Sequence, residues 1–71
     1  SGYTVQVGSY RNPANADRLV RELREQDFPA EIAEGDGFFR VLVGAYPSLE
    51  EAVEMEGRLK RAGYQTLVVS R

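Results

Sequence analysis

Three side chains in this sequence could bind a ligand through non-covalent contacts: Gln6, Phe38 and Arg40. The amide of Gln6 donates and accepts hydrogen bonds, Arg40 offers a rigid fork of donors, and Phe38 offers a flat apolar ring. Such groups suit a sugar, whose hydroxyls need directional partners and whose C–H face packs on a ring. They also suit a nucleobase, which stacks on aromatic side chains. Two plainer roles stay open: Gln6 as an ordinary exposed strand residue, and Arg40 as half of a surface salt bridge, for instance with Glu31.

The sequence offers little for catalysis or metal binding. It has no histidine and no cysteine, which excludes histidine acid–base catalysis, thiol chemistry and disulfides within the chain. No serine lies in a G-x-S-x-G turn. Asp36 is a lone carboxylate in a glycine-rich turn, where turn formation is its expected role. The carboxylates of the second predicted helix are expected to face solvent: Glu50, Glu51, Glu54 and Glu56. We therefore expect no enzyme activity, no catalytic residue, no metal site and no cofactor.

Composition predicts one small globular domain over residues 1–71, because 42% of the residues are hydrophobic and 28% are charged. The net charge of −2 argues against a nucleic-acid partner, since such modules usually carry a basic patch that neutralises phosphates. No apolar run approaches the roughly 20 residues that span a bilayer. We expect no membrane contact by this domain itself.

Hydrophobic periodicity predicts the element order β-α-β-β-α-β. Asn12 before Pro13 is typical of a helix start, and Ser48 with Glu51 forms a capping-box pattern for the second helix. Gly63 is expected to cap that helix at its carboxyl end. The predicted elements are strand 3–7, helix 13–26, strand 30–33, turn 34–37, strand 38–43, a helix after Ser48 and strand 64–69.

The chain is an internal duplication with half-repeats 3–34 and 38–70. An offset of 36 residues places Val5 on Val41 and Gly8 on Gly44 without a gap, and most matched positions are predicted to face inward. Two such units predict an α+β fold of the RNP/ferredoxin-like kind. It has a four-stranded antiparallel sheet, with strands one and three central and both helices packed on one face.

The other face of the sheet, called here the open face, is where the two halves differ. The offset matches Thr4 with Arg40 and Gln6 with Leu42, so folding alone did not choose these outward residues. Phe38, Arg40 and Leu42 alternate onto this face of the third strand. The open face is therefore a candidate binding surface. The alternative is that Phe38 and Leu42 are covered by a loop or terminus.

The segments Y-T-V-Q-V-G-S-Y at residues 3–10 and G-F-F-R-V-L-V-G at residues 37–44 resemble the SPOR (sporulation-related repeat) domain. The resemblance covers essentially the whole chain, including the asparagine-proline helix start and the duplicated aliphatic-Gly-x-aromatic motif. It implies a non-catalytic module for bacterial peptidoglycan, which binds denuded glycan strands of GlcNAc-MurNAc from which amidases have removed the stem peptides. It also implies that the module directs a larger envelope or division protein to the septal cell wall.

The resemblance further implies that the glycan lies across the open face. The family's binding positions match Gln6, Ser9, Phe38 and Arg40 here; relatives often have tryptophan in place of Phe38. Leu42 and Thr4 are predicted as floor contacts, from geometry alone.

Two other functions stay open from the sequence. An RRM-like module for single-stranded nucleic acid shares the topology, although its first strand would need an outward aromatic where this chain has Thr4 and Gln6. A ligand-free interaction module would bury Phe38 and Leu42 against a second subunit. We expect a monomer that binds glycan and no nucleic acid.

Overall fold

The computed structural model describes residues 2–71 and has the predicted element order. Four strands form one antiparallel sheet in the order β2-β3-β1-β4, so the first and third strands are central, as predicted. The elements are β1 Tyr3–Tyr10, α1 Pro13–Glu25, β2 Ala30–Gly35, β3 Phe38–Tyr46, α2 Leu49–Arg61 and β4 Leu67–Ser70.

Both helices begin at the predicted caps. The Asn12 side-chain oxygen accepts a hydrogen bond of 2.9 Å from the backbone N–H of Ala14. The Ser48 hydroxyl oxygen accepts one of 3.2 Å from Glu51. Each bond satisfies a backbone donor that a helix start otherwise leaves unpaired, which explains why these short polar residues fix the helix starts.

The helices end in the same way at positions that the repeat relates. Phe28 N–H donates to Leu23 O at 3.0 Å, and Tyr64 N–H donates to Leu59 O at 3.0 Å. Each bond closes a Schellman motif whose preceding residue has positive φ: 66° at Asp27 and 98° at Gly63. The capping role predicted for Gly63 is confirmed, and Asp27 takes the equivalent position in the first half.

The core lies between one face of the sheet and both helices. Val5, Val41 and Val43 are fully buried on that face. The helices add residues at i, i+3, i+4 and i+7 spacings, as the predicted stripes require: Ala16, Val20, Leu23, Ala52, Met55 and Leu59. Packing both helices on one face leaves the open face without a helix.

The bounds of all four strands differ from the prediction, and β2 continues two residues into the predicted turn, to Gly35. β1 continues through Gly8 to Tyr10, and β3 continues through Gly44 to Tyr46, although both glycines were expected to end their strands. β4 begins at Leu67 rather than at residue 64, because Tyr64 belongs to the Schellman motif that ends α2. The extension of β1 matters most, because it keeps Ser9 within the sheet.

Candidate functional site

A β-bulge brings Gln6 and Ser9 to the same face of the sheet. Gln6 pairs with Leu42 and Gly8 pairs with Val41, so Val7 is an extra residue without a partner of its own on β3. Residues three apart on a regular strand point to opposite faces, and one extra residue restores the same side. Ser9 therefore lies opposite Arg40 on the open face, and it is exposed to solvent.

Arg40 lies beside Phe38 and has no carboxylate partner within residues 2–71. Its Nη1 donates to the carbonyl of Gly35 at 3.4 Å, and its Cζ lies 5.8 Å from the centre of the Phe38 ring. The alternative of an Arg40–Glu31 salt bridge is not observed among residues 2–71, because Glu31 pairs with Arg71 instead. The guanidinium of Arg40 keeps most of its donors for other partners.

A second arginine, which the sequence did not single out, lies over the same ring. Arg11 Cζ is 5.2 Å from the centre of the Phe38 ring, and Arg11 is exposed where the chain leaves β1 for α1. Both distances are within the range of cation–π attraction. Phe38 is therefore not a bare platform, because two cations already contact its ring.

Thr4 and Leu42 are on the open face but are buried. They are 1% and 8% exposed. The Thr4 hydroxyl lies 2.6 Å from the carbonyl of Gly44 and 3.2 Å from that of Val43, so its proton is used within the sheet. Both side chains are largely covered by their neighbours, and contact with a ligand stays a prediction for both.

A side-chain bridge crosses the end of the open face where Thr4 and Leu42 lie. Arg71, which follows β4 at one edge of the sheet, pairs with Glu31 on β2 at the other edge. Its Nη1 also donates to the carbonyl of Gly44 at 3.3 Å. Glu31 pairs with Leu42 across β2 and β3, so one end of the bridge lies beside that buried residue. Leu42 is buried and Phe38 is half-exposed, so only Leu42 of the two is covered.

Leu67 extends the accessible part of the face beyond the predicted residues. It is 57% exposed and pairs with Gln6 across β1 and β4. A shallow hollow of about 220 Å³ lies beside both residues, and Val7, Gly8, Gln65 and Thr66 complete its lining. The repeat could have indicated Leu67. Its neighbour Val68 matches Ile32 and faces inward, so Leu67 is expected to face the open side. A larger hollow of about 320 Å³ is lined by Arg71 and by residues near the start of β1 and the end of β3, and none of the predicted site residues lines it.

The two tyrosines whose pKa values are shifted lie away from the open face. The described part of the chain also has no cluster of metal-binding side chains. Burial raises the pKa of Tyr46 and of Tyr64, and both residues pack against the core on the helix side. Residues 2–71 contain no group of three or more side chains able to hold a metal ion. Neither helix within that range is long and apolar enough to cross a membrane.

Comparison with known proteins identifies the family to which this fold belongs. A family model described as the SPOR domain matches residues 1–70. The chain belongs to the SPOR domain family. The peptidoglycan-binding domain of the B. subtilis cell wall lytic enzyme CwlC is 34% identical. Its solution structure superposes with a TM-score of 0.87 over 97% of this chain and 89% of that one.

Two further structures resemble this SPOR domain. The Spor protein DedD is 25% identical with a TM-score of 0.76, and the match covers 96% of this chain and 38% of DedD. The C-terminal RNP domain of the divisome protein FtsN is 28% identical with a TM-score of 0.60, covering 99% of this chain and 92% of that domain. The RNP-like fold predicted from the repeat is thereby confirmed.

Proposed function

We propose that this SPOR domain binds bacterial peptidoglycan and recognises glycan strands that lack stem peptides. The observation that carries the proposal is the placement of Gln6, Ser9, Phe38 and Arg40 together on the open face, through the bulge at Val7. The peptidoglycan-binding domain of CwlC, with the same fold over nearly the whole chain, supports the choice of polymer.

The accessible groups match the chemistry of a polysaccharide. Gln6 supplies an amide that can donate to one sugar oxygen and accept from another, and Ser9 supplies a free hydroxyl. Arg40 adds charged donors across the strand from Ser9. Leu67 and the ring of Phe38 offer apolar surface to the C–H faces of the sugars, and no covalent step is needed. The domain is therefore proposed to be non-catalytic.

Within a longer protein, the domain would direct its partner segments to the cell wall at the division septum of the bacterial envelope. FtsN is described as a divisome protein and CwlC as a cell wall lytic enzyme, which supports this location. A strand without stem peptides suits this face, because sugars without a bulky substituent can approach the side chains of Gln6 and Ser9 closely.

The proposal is tested by co-sedimentation of the domain with intact and with amidase-treated peptidoglycan. We expect the parent to bind the amidase-treated material more tightly. Gln6→Ala and Arg40→Ala should each weaken that binding about tenfold, since each removes a hydrogen-bonding group worth about 1 to 1.5 kcal/mol. Thermal unfolding should stay close to that of the parent, because both side chains lie outside the core.

Matched controls are available on α1, on the other side of the sheet. Arg21→Ala removes the same charge as Arg40→Ala, and Asn15→Ala removes an amide as Gln6→Ala does; both residues are exposed. Equal binding by Gln6→Ala, Arg40→Ala and the two controls would remove the open face as the binding site. Short single-stranded RNA added as competitor should leave glycan binding unchanged, and solution mass should give a monomer.

A further inference from the structure

Phe38 with its two arginines forms a corner of positive charge, which we call the Arg11–Arg40 corner. The chain as a whole carries 11 acidic residues against 9 basic ones. Yet the salt bridges within residues 2–71 join only Lys60 to Glu56 and Arg71 to Glu31. Neither guanidinium at Phe38 has a carboxylate within salt-bridge distance in that part of the chain.

A guanidinium over an aromatic ring keeps the donors at its edge available. Cation–π contact uses the face of the group, whereas hydrogen bonds to a carboxylate use the N–H groups in its plane. One N–H group of Arg40 donates a long hydrogen bond of 3.4 Å to Gly35 O. Arg11 makes no side-chain hydrogen bond with residues 2–71 beyond its contact with the ring. Both cations lie against the same ring, at 5.2 Å and 5.8 Å from its centre, and neither has an acidic partner within residues 2–71.

We propose that the Arg11–Arg40 corner binds the lactyl carboxylate of a MurNAc unit. This inference rests on the proposed function and specifies its ligand. In intact peptidoglycan that lactyl group is joined to the stem peptide as a neutral amide. Hydrolysis of the amide by an amidase takes up water, releases the peptide amine and leaves a carboxylate on the sugar. A denuded strand therefore differs from an intact one by a new anion on each MurNAc, besides the loss of bulk.

The position of the corner agrees with this ligand. Ser9 lies opposite Arg40, and Gln6 lies opposite Leu42 in the next row of the same face. A sugar chain hydrogen-bonded to Gln6 and Ser9 would place an adjoining unit beside Arg40, with Arg11 at the end of the row. Charge-assisted bonds from two guanidinium groups to one carboxylate are stronger and more directional than bonds to a neutral amide oxygen.

The test compares two tetrasaccharides of alternating GlcNAc and MurNAc by calorimetric titration of the 71-residue chain. One tetrasaccharide carries free lactyl carboxylates, and the other carries their methyl esters. We expect the parent to prefer the free acid about tenfold, as a charge-assisted bond would give. Arg11→Ala should lose most of that preference and keep its affinity for the ester, and Arg11→Lys should retain part of the preference.

Arg18→Ala is the matched control, because Arg18 is exposed on α1 and carries the same charge. A parent that binds both tetrasaccharides equally would overturn the inference and leave the proposed function standing. Tighter binding of both by Arg11→Ala would also overturn it, since Arg11 would then only shield the ring. Failure of the parent to bind either tetrasaccharide would overturn the proposed function and this inference together.

Discussion

Two hydroxyls on β1 show how neighbouring atoms, rather than residue type, decide which side chain can meet a ligand. Thr4 and Ser9 both lie on the open face. The Thr4 hydroxyl is 2.6 Å from the Gly44 carbonyl and is buried, so it holds β1 and β3 together. Ser9 is exposed and its hydroxyl is unengaged within residues 2–71. Only the second of these hydroxyls is available to a ligand.

The hydroxyl of Tyr64 gives a pH-dependent prediction. It donates to Glu22 Oε2 at 2.5 Å and accepts from Gln26 Nε2 at 2.7 Å. Burial, and next the hydrogen bond to the Glu22 carboxylate, raise the pKa of Tyr64 in the folded state. Folding therefore favours the protonated phenol. Its contribution to stability is complete below the unfolded value of about 10 and is lost as pH rises through the higher folded pKa.

We expect the free energy of unfolding, measured in urea at pH 8, 9, 10 and 11, to fall in the upper part of this range. Tyr64→Phe should fall less steeply, and it should start from a lower stability at pH 8 because two hydrogen bonds are gone. Some slope should persist, since burial also raises the pKa of Tyr46. An unchanged slope in Tyr64→Phe would show that Tyr64 does not carry the effect.

At the scale of elements, local signals predicted the helices well and the strand ends poorly. Asn12 and Ser48 fix helix starts through bonds to residues two and three positions away, which a sequence pattern can capture. Gly8 gave a misleading signal. A Cβ there would lie 2.8 Å from the Tyr10 ring, so glycine is needed for ring packing inside a continuing strand. Whether glycine ends a strand or admits a ring depends on tertiary contacts that the sequence does not display.

On the open face too, strand geometry could be predicted from the sequence, but contacts between distant side chains could not. Alternation along β3 predicted the side on which Phe38, Arg40 and Leu42 lie, because strand geometry fixes it. It could not predict that Arg11 would lie over the ring, nor that Arg71 would pair with Glu31, 40 residues earlier in the chain. Those contacts depend on where two flexible side chains arrive after the sheet has formed.

The end of α1 gives a prediction about stability. Asp27 has a φ of 66°, a conformation that costs residues other than glycine about 1 kcal/mol. Its charge also lies at the negative end of a helix dipole. Asp27→Gly should therefore stabilise the domain by about 0.5 to 1 kcal/mol, measured by urea unfolding.

Two further variants separate the causes of that gain. Asp27→Asn removes the charge and keeps a side chain, so it should give only part of the gain. Gly63→Ala tests the equivalent position, where φ is 98°, and should destabilise by about 1 kcal/mol. A loss of stability in Asp27→Gly would mean that the aspartate side chain makes a contribution larger than its backbone strain.

At the scale of the whole molecule, the duplication extends to the contacts between its halves. The ring of Phe28, which follows α1, lies 5.3 Å from Arg58 Cζ on α2. Tyr64, which follows α2, bonds to Glu22 on α1. The offset of 36 residues relates Phe28 to Tyr64 and Glu22 to Arg58. In each half, the aromatic residue that follows the helix therefore contacts the equivalent position on the helix of the other half. The helix side of the molecule keeps the symmetry that the open face has lost.

The Arg71–Glu31 bridge is a further difference between the two halves. It joins residues at opposite edges of the sheet and crosses the open face. Both side chains are 40% or more exposed, so their attraction is screened by solvent and should contribute less than about 1 kcal/mol to folding. The main consequence of the bridge should instead be for ligand length. It crosses the face beside Leu42, and a glycan that follows the Gln6–Ser9 line would meet it at one end.

Arg71→Ala should therefore open this end of the face and lengthen the surface available to the sugars. We expect affinity for glycan chains of eight or more sugars to increase, while affinity for tetrasaccharides and thermal stability stay nearly unchanged. Glu31→Ala should act in the same direction, because it removes the other half of the bridge. Arg61→Ala, which removes an equal charge from the exposed end of α2, should change neither. If Arg71→Ala weakens binding to long and short chains alike, Arg71 is itself a ligand contact, and the bridge does not mark the end of the site.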